Sequence, residues 1–135
     1  MTDSTNILNI DSTESSQEEQ LEDYYTTEQI KQANASVNQD YSKHYVRITI
    51  KIPQMRTGLN WRSFTREAKN GLTTKATYHG TRVYFEFIID QDKPTETKHE
   101  YTSREPLRGP IEYKKSFLKY KDECVIWFVH KSLPW

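Results

Sequence analysis

The chain has one cysteine, Cys124, in 135 residues, and only four glycines, five prolines and two methionines. A single thiol excludes an intramolecular disulfide framework and a thiolate zinc cage. With so few glycines there is no Gly-rich loop to cradle a phosphate, and no HExxH or CxxC spacing occurs. No stretch approaches the roughly 18 apolar residues that cross a bilayer, and the first residues have neither a basic start nor the apolar run that directs secretion. Cytoplasm or nucleus is therefore the expected location, with no membrane partner. Asn34-Ala35-Ser36 is formally a glycosylation sequon, but without a secretory signal the modification has no access to it.

Net charge is absent too, with 19 Lys and Arg against 19 Asp and Glu. The balance conceals two unlike segments. Residues 1–40 hold nine carboxylates and one Lys, a net −8, while residues 41–135 hold ten carboxylates and eighteen Lys or Arg, a net +8. In the first segment the aliphatic residues are confined to Ile7, Leu8, Ile10, Leu21, Ile30 and Val37. That is too little apolar surface to offset an ordering entropy of roughly 1–2 kcal/mol per residue, so an acidic disordered tail is expected over 1–40. Inside it, Thr26-Thr27-Glu28-Gln29 has capping-box spacing and predicts a marginal helix over 27–36. Ser15 and Ser16 each have a Glu three residues on, a pattern that suits acidophilic kinases and equally an ordinary solvated tail.

From Tyr41 the composition turns to alternating β-branched, aromatic and charged residues. In Tyr45–Ile52, Val46, Ile48, Ile50 and Ile52 share one face, and Tyr45, Arg47, Thr49 and Lys51 the other. Pro53 ends the strand. Thr73–Tyr78 and Arg82–Ile89 flank His79-Gly80 and predict an antiparallel hairpin. Glu96–Thr102 alternates polar residues in the manner of an exposed strand, and Ser116–Lys121 with Cys124–His130 predicts a last hairpin around Asp122-Glu123. Trp61, Phe64 and Ala68, at i, i+3 and i+7, read either as a short helix in the first connection or as an irregular connection with two buried aromatics. Six strands in about 95 residues predict an all-β fold, an antiparallel β-sandwich of about six to seven strands over 41–135.

Nothing here has the pattern of an enzyme. His44, His79, His99 and His130 have no metal-ligand spacing, and Cys124 opens an apolar strand as a buried thiol would, so no catalytic residue, metal or cofactor is expected. The informative pattern is basic and aromatic. Lys114, Lys115, Lys119 and Lys121 lie close together, Arg104 and Arg108 lie upstream, and Tyr113, Phe117 and Tyr120 are interleaved. Such a surface docks an acidic protein or stacks and neutralises single-stranded nucleic acid; a charged strand face with its aromatics turned inward gives the same pattern without binding anything.

The second half of the chain carries a resemblance. Tyr84-Phe85-Glu86-Phe87, the polar Lys98-His99-Glu100-Tyr101, the corner Pro106-Leu107-Arg108-Gly109-Pro110-Ile111 and the final Cys124–Lys131 follow in the order seen in the CS domain. This is the β-sandwich of small co-chaperones of heat-shock protein 90, related in fold to small heat-shock (HSP20-like) proteins. Leu107 and Ile111 resemble the corner of that family, Lys131 its terminal Lys, Trp135 the Trp beyond it, and Val46–Ile50 its opening strand. The chain differs in lacking a Trp at the start of the domain, in the longer Gln54–Asn70 connection, and in an acidic segment that precedes the domain. The resemblance implies a non-catalytic protein-binding module, a co-chaperone or assembly adaptor, whose partner is heat-shock protein 90 or a complex it helps assemble. Tyr45, Arg47, Lys131 and Trp135 are the docking residues it implies, with Lys115 and Lys119 from the basic strand. Trp61 and Phe64 form a candidate contact of the insertion. The alternative is a nucleic-acid-binding domain whose basic aromatic face is masked by the acidic tail.

Overall fold

A computed structural model of the chain describes residues 29–135. The acidic stretch before Gln29, with Ser15, Ser16 and the start of the capping box, lies outside the described residues. Ten strands are present among those described: β1 (Ile30–Gln32), β2 (Asn34–Asn38), β3 (Tyr45–Lys51), β4 (Thr57–Asn60), β5 (Thr65–Ala68), β6 (Gly71–His79), β7 (Arg82–Ile89), β8 (Thr97–Thr102), β9 (Ile111–Lys121) and β10 (Cys124–Lys131). They form one four-stranded sheet in the order β9-β10-β3-β2, a second in the order β1-β8-β7-β6, and the separate hairpin β4-β5. All the pairs with a determined register are antiparallel. The all-β sandwich expected from the alternation is the fold.

Period-two alternation explains the layers. Val46, Ile48 and Ile50 on β3, Val83, Phe85, Phe87 and Ile89 on β7, and Val125, Trp127 and Val129 on β10 turn inward and make one core with Ile52, Met55 and Leu107. Phe85 stacks on Phe87 at 6.5 Å and lies tilted against Trp127 at 6.1 Å. Burying a side chain of this size stabilises the fold by roughly 1.5–3 kcal/mol each.

Four sequence expectations are corrected. The domain does not begin at residue 41, because β1 and β2 are strands where a disordered tail and a helix over 27–36 were expected. Ala33 lies between them and donates its N–H to the Glu100 carbonyl of the second sheet, while Asn34 already pairs with Lys51 of the first. One short segment thus adds an edge strand to each sheet, and ladder hydrogen bonds supply what its poor hydrophobicity does not. Leu59–Lys69 is neither a helix nor a connection with buried aromatics but the β4-β5 hairpin. β8 is an inner strand, flanked by β1 and β7, and buries His99. The β6-β7 turn is Gly80-Thr81, since His79 pairs with Arg82 and Gly80 takes the positive φ of +62°.

A candidate binding face on the outer side of the β9-β10-β3-β2 sheet

The side chains that alternate away from the core on this sheet fall into registered rows. One row runs Asn38, Arg47, Phe128, Phe117 across the four strands, the next Ser36, Thr49, Ile126, Lys119, and the third Asn34, Lys51, Cys124, Lys121. Tyr45 lies opposite His130 at the end of the face. The rings meet: Phe117 stacks on Phe128 at 5.0 Å, and Tyr45 stands edge-on to Phe117 at 5.6 Å and to His130 at 4.9 Å. Tyr41 tilts against Phe128 at 5.6 Å. Tyr41 and Phe117 remain 45% and 42% exposed, so this cluster covers itself only in part.

Cations are set among the rings. The Arg47 guanidinium lies 5.7 Å from the Tyr41 ring centroid, and Lys119 Nζ is 5.9 Å from that of Phe128. Cation–π contacts of this kind contribute about 0.5–1 kcal/mol at exposed sites. Among the described residues none of Arg47, Lys51, Lys119 and Lys121 is in an ion pair, and the three rows contain no carboxylate; Glu112 lies beyond them, opposite His130. Arg47 Nε and His130 Nδ1 are shielded from solvent with no hydrogen-bond partner. Buried polar atoms left in this way are costly.

Of the residues singled out from sequence, Tyr45, Arg47 and Lys119 converge on this face. Lys115 does not. The β9 register shifts between Glu112 and Phe117, and the Ser116 hydroxyl fills the gap by accepting the His130 N–H at 2.9 Å and donating to the Glu112 carbonyl at 3.1 Å. Lys115 lies on that bulge, exposed. Lys131 is corrected as a docking residue: it alternates inward and is only 3% exposed. Its ammonium donates to the Ser42 and Trp135 carbonyls at 2.9 and 3.2 Å and lies 4.7 Å from the Trp135 ring centroid. Trp135 in turn donates Nε1–H to the Pro110 carbonyl at 2.9 Å, and its ring packs so closely on Gly109 that an added Cβ would meet Cδ1 at 2.4 Å. These two residues fasten the end of the chain. Trp61 and Phe64 are together, T-shaped at 6.4 Å, on the β4-β5 hairpin and not on the face.

No family model and no curated protein sequence matches the chain. Among solved structures it is similar to heat shock protein 16.0 from Schizosaccharomyces pombe, with a TM-score of 0.47 and 8% identity, covering 93% of this chain and 87% of that one. Function is therefore read from the residues themselves.

Tyr41, Phe117, Phe128 and His130 belong to the cluster but not to the residues chosen as docking sites from the sequence. The signal for Phe128 and His130 was available, since they alternate with the core positions of β10. Tyr41 precedes its strand and joins the cluster only through tertiary packing. No group of three or more His, Cys, Asp or Glu side chains is placed to hold a metal among the described residues. The outer side of the second sheet, by contrast, is internally satisfied. Lys98 lies 3.3 Å from both Glu86 and Glu100, and Tyr84 donates to both carboxylates. Burial alone would raise the Glu86 carboxyl, but the Thr74 and Tyr84 hydroxyls and Lys98 outweigh it and hold the group below its usual range.

Proposed function

We propose that the chain is a non-catalytic protein-binding module, a co-chaperone or assembly adaptor of the CS type, and that the outer face of the β9-β10-β3-β2 sheet takes an acidic, partly apolar partner surface. The observation that carries this reading is the row Arg47–Phe128–Phe117, in which partly exposed rings are framed by cations with no ion-pair partner among the described residues. Aromatic and Arg side chains dominate the energetics of protein interfaces, and complementary charge adds orientation and association rate. Lys131 and Trp135 enter only by holding Ser42 and the corner at Pro110 in place.

Calorimetry with purified heat-shock protein 90, with and without nucleotide, tests the co-chaperone form. Lys119→Glu is expected to weaken association about tenfold, ~1.4 kcal/mol, with unchanged thermal stability, and Phe117→Ala by a similar factor with about 1 kcal/mol of stability lost with its ring contacts. Absence of binding in every nucleotide state sinks that form.

A second reading, single-stranded nucleic-acid binding, is favoured by the same exposed rings next to Lys51, Lys119 and Lys121. Salt-dependent retention of residues 29–135 on single-stranded DNA supports it, and indifference at low salt removes it.

A further inference from the structure

The β4-β5 hairpin carries side chains that the sandwich does not use. Trp61 and Phe64 are 75% and 74% exposed, the most exposed of the large apolar side chains described, and Leu59 beside them is also exposed. Such exposure is unfavourable in water unless something covers the rings. The tip is nonetheless well ordered by its own bonds: Phe64 N–H donates to the Asn60 carbonyl at 2.7 Å, Arg62 N–H to Asn60 Oδ1 at 2.9 Å, and the Ser63 and Thr65 hydroxyls bond each other at 2.7 Å. Phe64 stands at φ +54°, where glycine or asparagine is the ordinary choice. The base is fastened as firmly, with the Thr57 N–H and hydroxyl both donating to Asp122 Oδ1 at 2.8 and 2.7 Å.

Positive charge surrounds the rings. Between Arg56 and Lys69 there are four cations and one carboxylate, Glu67, which accepts a bond from the Asn60 side chain. Arg62 sits in the turn between the two rings, Arg66 faces Leu59 on the second rung below it, and the Lys69 stem lies against Gly58. The turn and its first two rungs carry Trp61, Phe64 and Leu59 together with Arg62 and Arg66, and two rungs span roughly 7 Å, about the depth an interfacial element reaches in a bilayer. The long Arg stems let their guanidinium groups reach headgroup level beside the rings. An exposed tip that combines Trp and Phe with Arg and Lys matches an anionic membrane surface, where Trp favours the interface and basic residues the phosphates.

From this combination of exposed rings and interleaved cations we infer that the β4-β5 hairpin is a membrane-surface anchor, which inserts Trp61 and Phe64 into the interface of an anionic bilayer while Arg62, Arg66 and Lys69 engage lipid phosphates. It is independent of the sheet face proposed above, and it replaces the expectation of no membrane partner. The chain lies on the membrane and does not span it.

The test uses the full chain with vesicles of phosphatidylcholine alone and with added phosphatidylserine, read by co-sedimentation and tryptophan emission. Trp127 is buried and Trp135 is packed on Gly109, so a blue shift reports Trp61. Binding and a blue shift are expected with the anionic vesicles. The Trp61→Ala/Phe64→Gly double variant is expected to lose binding about tenfold or more, as removal of large inserted rings implies, with no loss of thermal stability, because Phe64→Gly also relieves the backbone. Arg62→Glu/Arg66→Glu is expected to lose the preference for phosphatidylserine. No binding to phosphatidylserine vesicles overturns the inference and leaves the tip to a cleft on a protein partner. Binding that survives the ring variant overturns it as well.

Discussion

His99 is 4% exposed on β8, its Nε2 3.2 Å from the Thr97 hydroxyl. Burial first, and the Lys31 charge second, hold its pKa below the ordinary imidazole value. A base with a depressed folded pKa stays neutral in the fold while the unfolded chain takes up a proton, so its contribution is present above about pH 6.5 and is lost as pH falls through the lower folded value. Glu86 is also depressed, and its contribution is lost at more acid pH, below the ordinary carboxylate range. The melting temperature is thus expected to be flat just above neutrality and to fall in two steps on acidification. His99→Gln should flatten the upper step and Glu86→Gln the lower, as measured by thermal scans across pH. A His99→Gln variant with an unchanged upper limb would dismiss this assignment. From sequence His99 was an ordinary polar residue on an exposed strand, because alternation in Lys98-His99-Glu100 does not say which face is covered.

At the scale of elements, β6 and β7 place two glycines in contrasting roles. Gly80 turns the hairpin at φ +62° with open space around it, so Gly80→Ala meets only backbone strain and is expected to cost about 1 kcal/mol. Gly71 faces the core instead: an added Cβ would meet the Phe87 ring at 2.2 Å and the Ile88 carbonyl at 2.8 Å. Gly71→Ala is expected to cost about 2–3 kcal/mol through overpacking. Equal costs in chemical denaturation would contradict this reading of the β6 edge. The strands with a clean period of two were legible, namely β3, β7 and β10. The β4-β5 hairpin was not, because Trp61, Phe64 and Ala68 have helical spacing by coincidence. The two rings flank a turn held by Asn60, and only Ala68 packs on the core.

Across the whole molecule, the boundary drawn from composition at residue 40 falls after two strands that join the sheets. A fragment beginning at Tyr41 loses the β2 ladder on β3 and the contacts of Ala33 and Ala35 with the core. Its melting temperature is expected to lie on the order of 10 °C below that of a fragment beginning at Gln29, equivalent to about 2 kcal/mol. Matching melting curves would restore the boundary at 40. The charge division survives this correction, since moving residues 29–40 into the folded part transfers one Lys and one Asp together. Asp40 is paired with Arg108 at 2.8 Å, and that bond keeps its carboxyl below the usual range.

The sequence by itself determined the all-β class, the inward residues of β3, β7 and β10 and the excess of positive charge after residue 40, because period-two alternation and residue charge are local properties. The tertiary structure alone decided which cations are available. Lys131 and Arg47 are both basic residues on neighbouring strands, yet one alternates inward to bond two carbonyls and the other outward among aromatic rings. It also decided that Asn34–Asn38, too polar to be read as part of a core, is a strand, because the partners that satisfy its backbone lie on β3, outside any pattern within the segment itself.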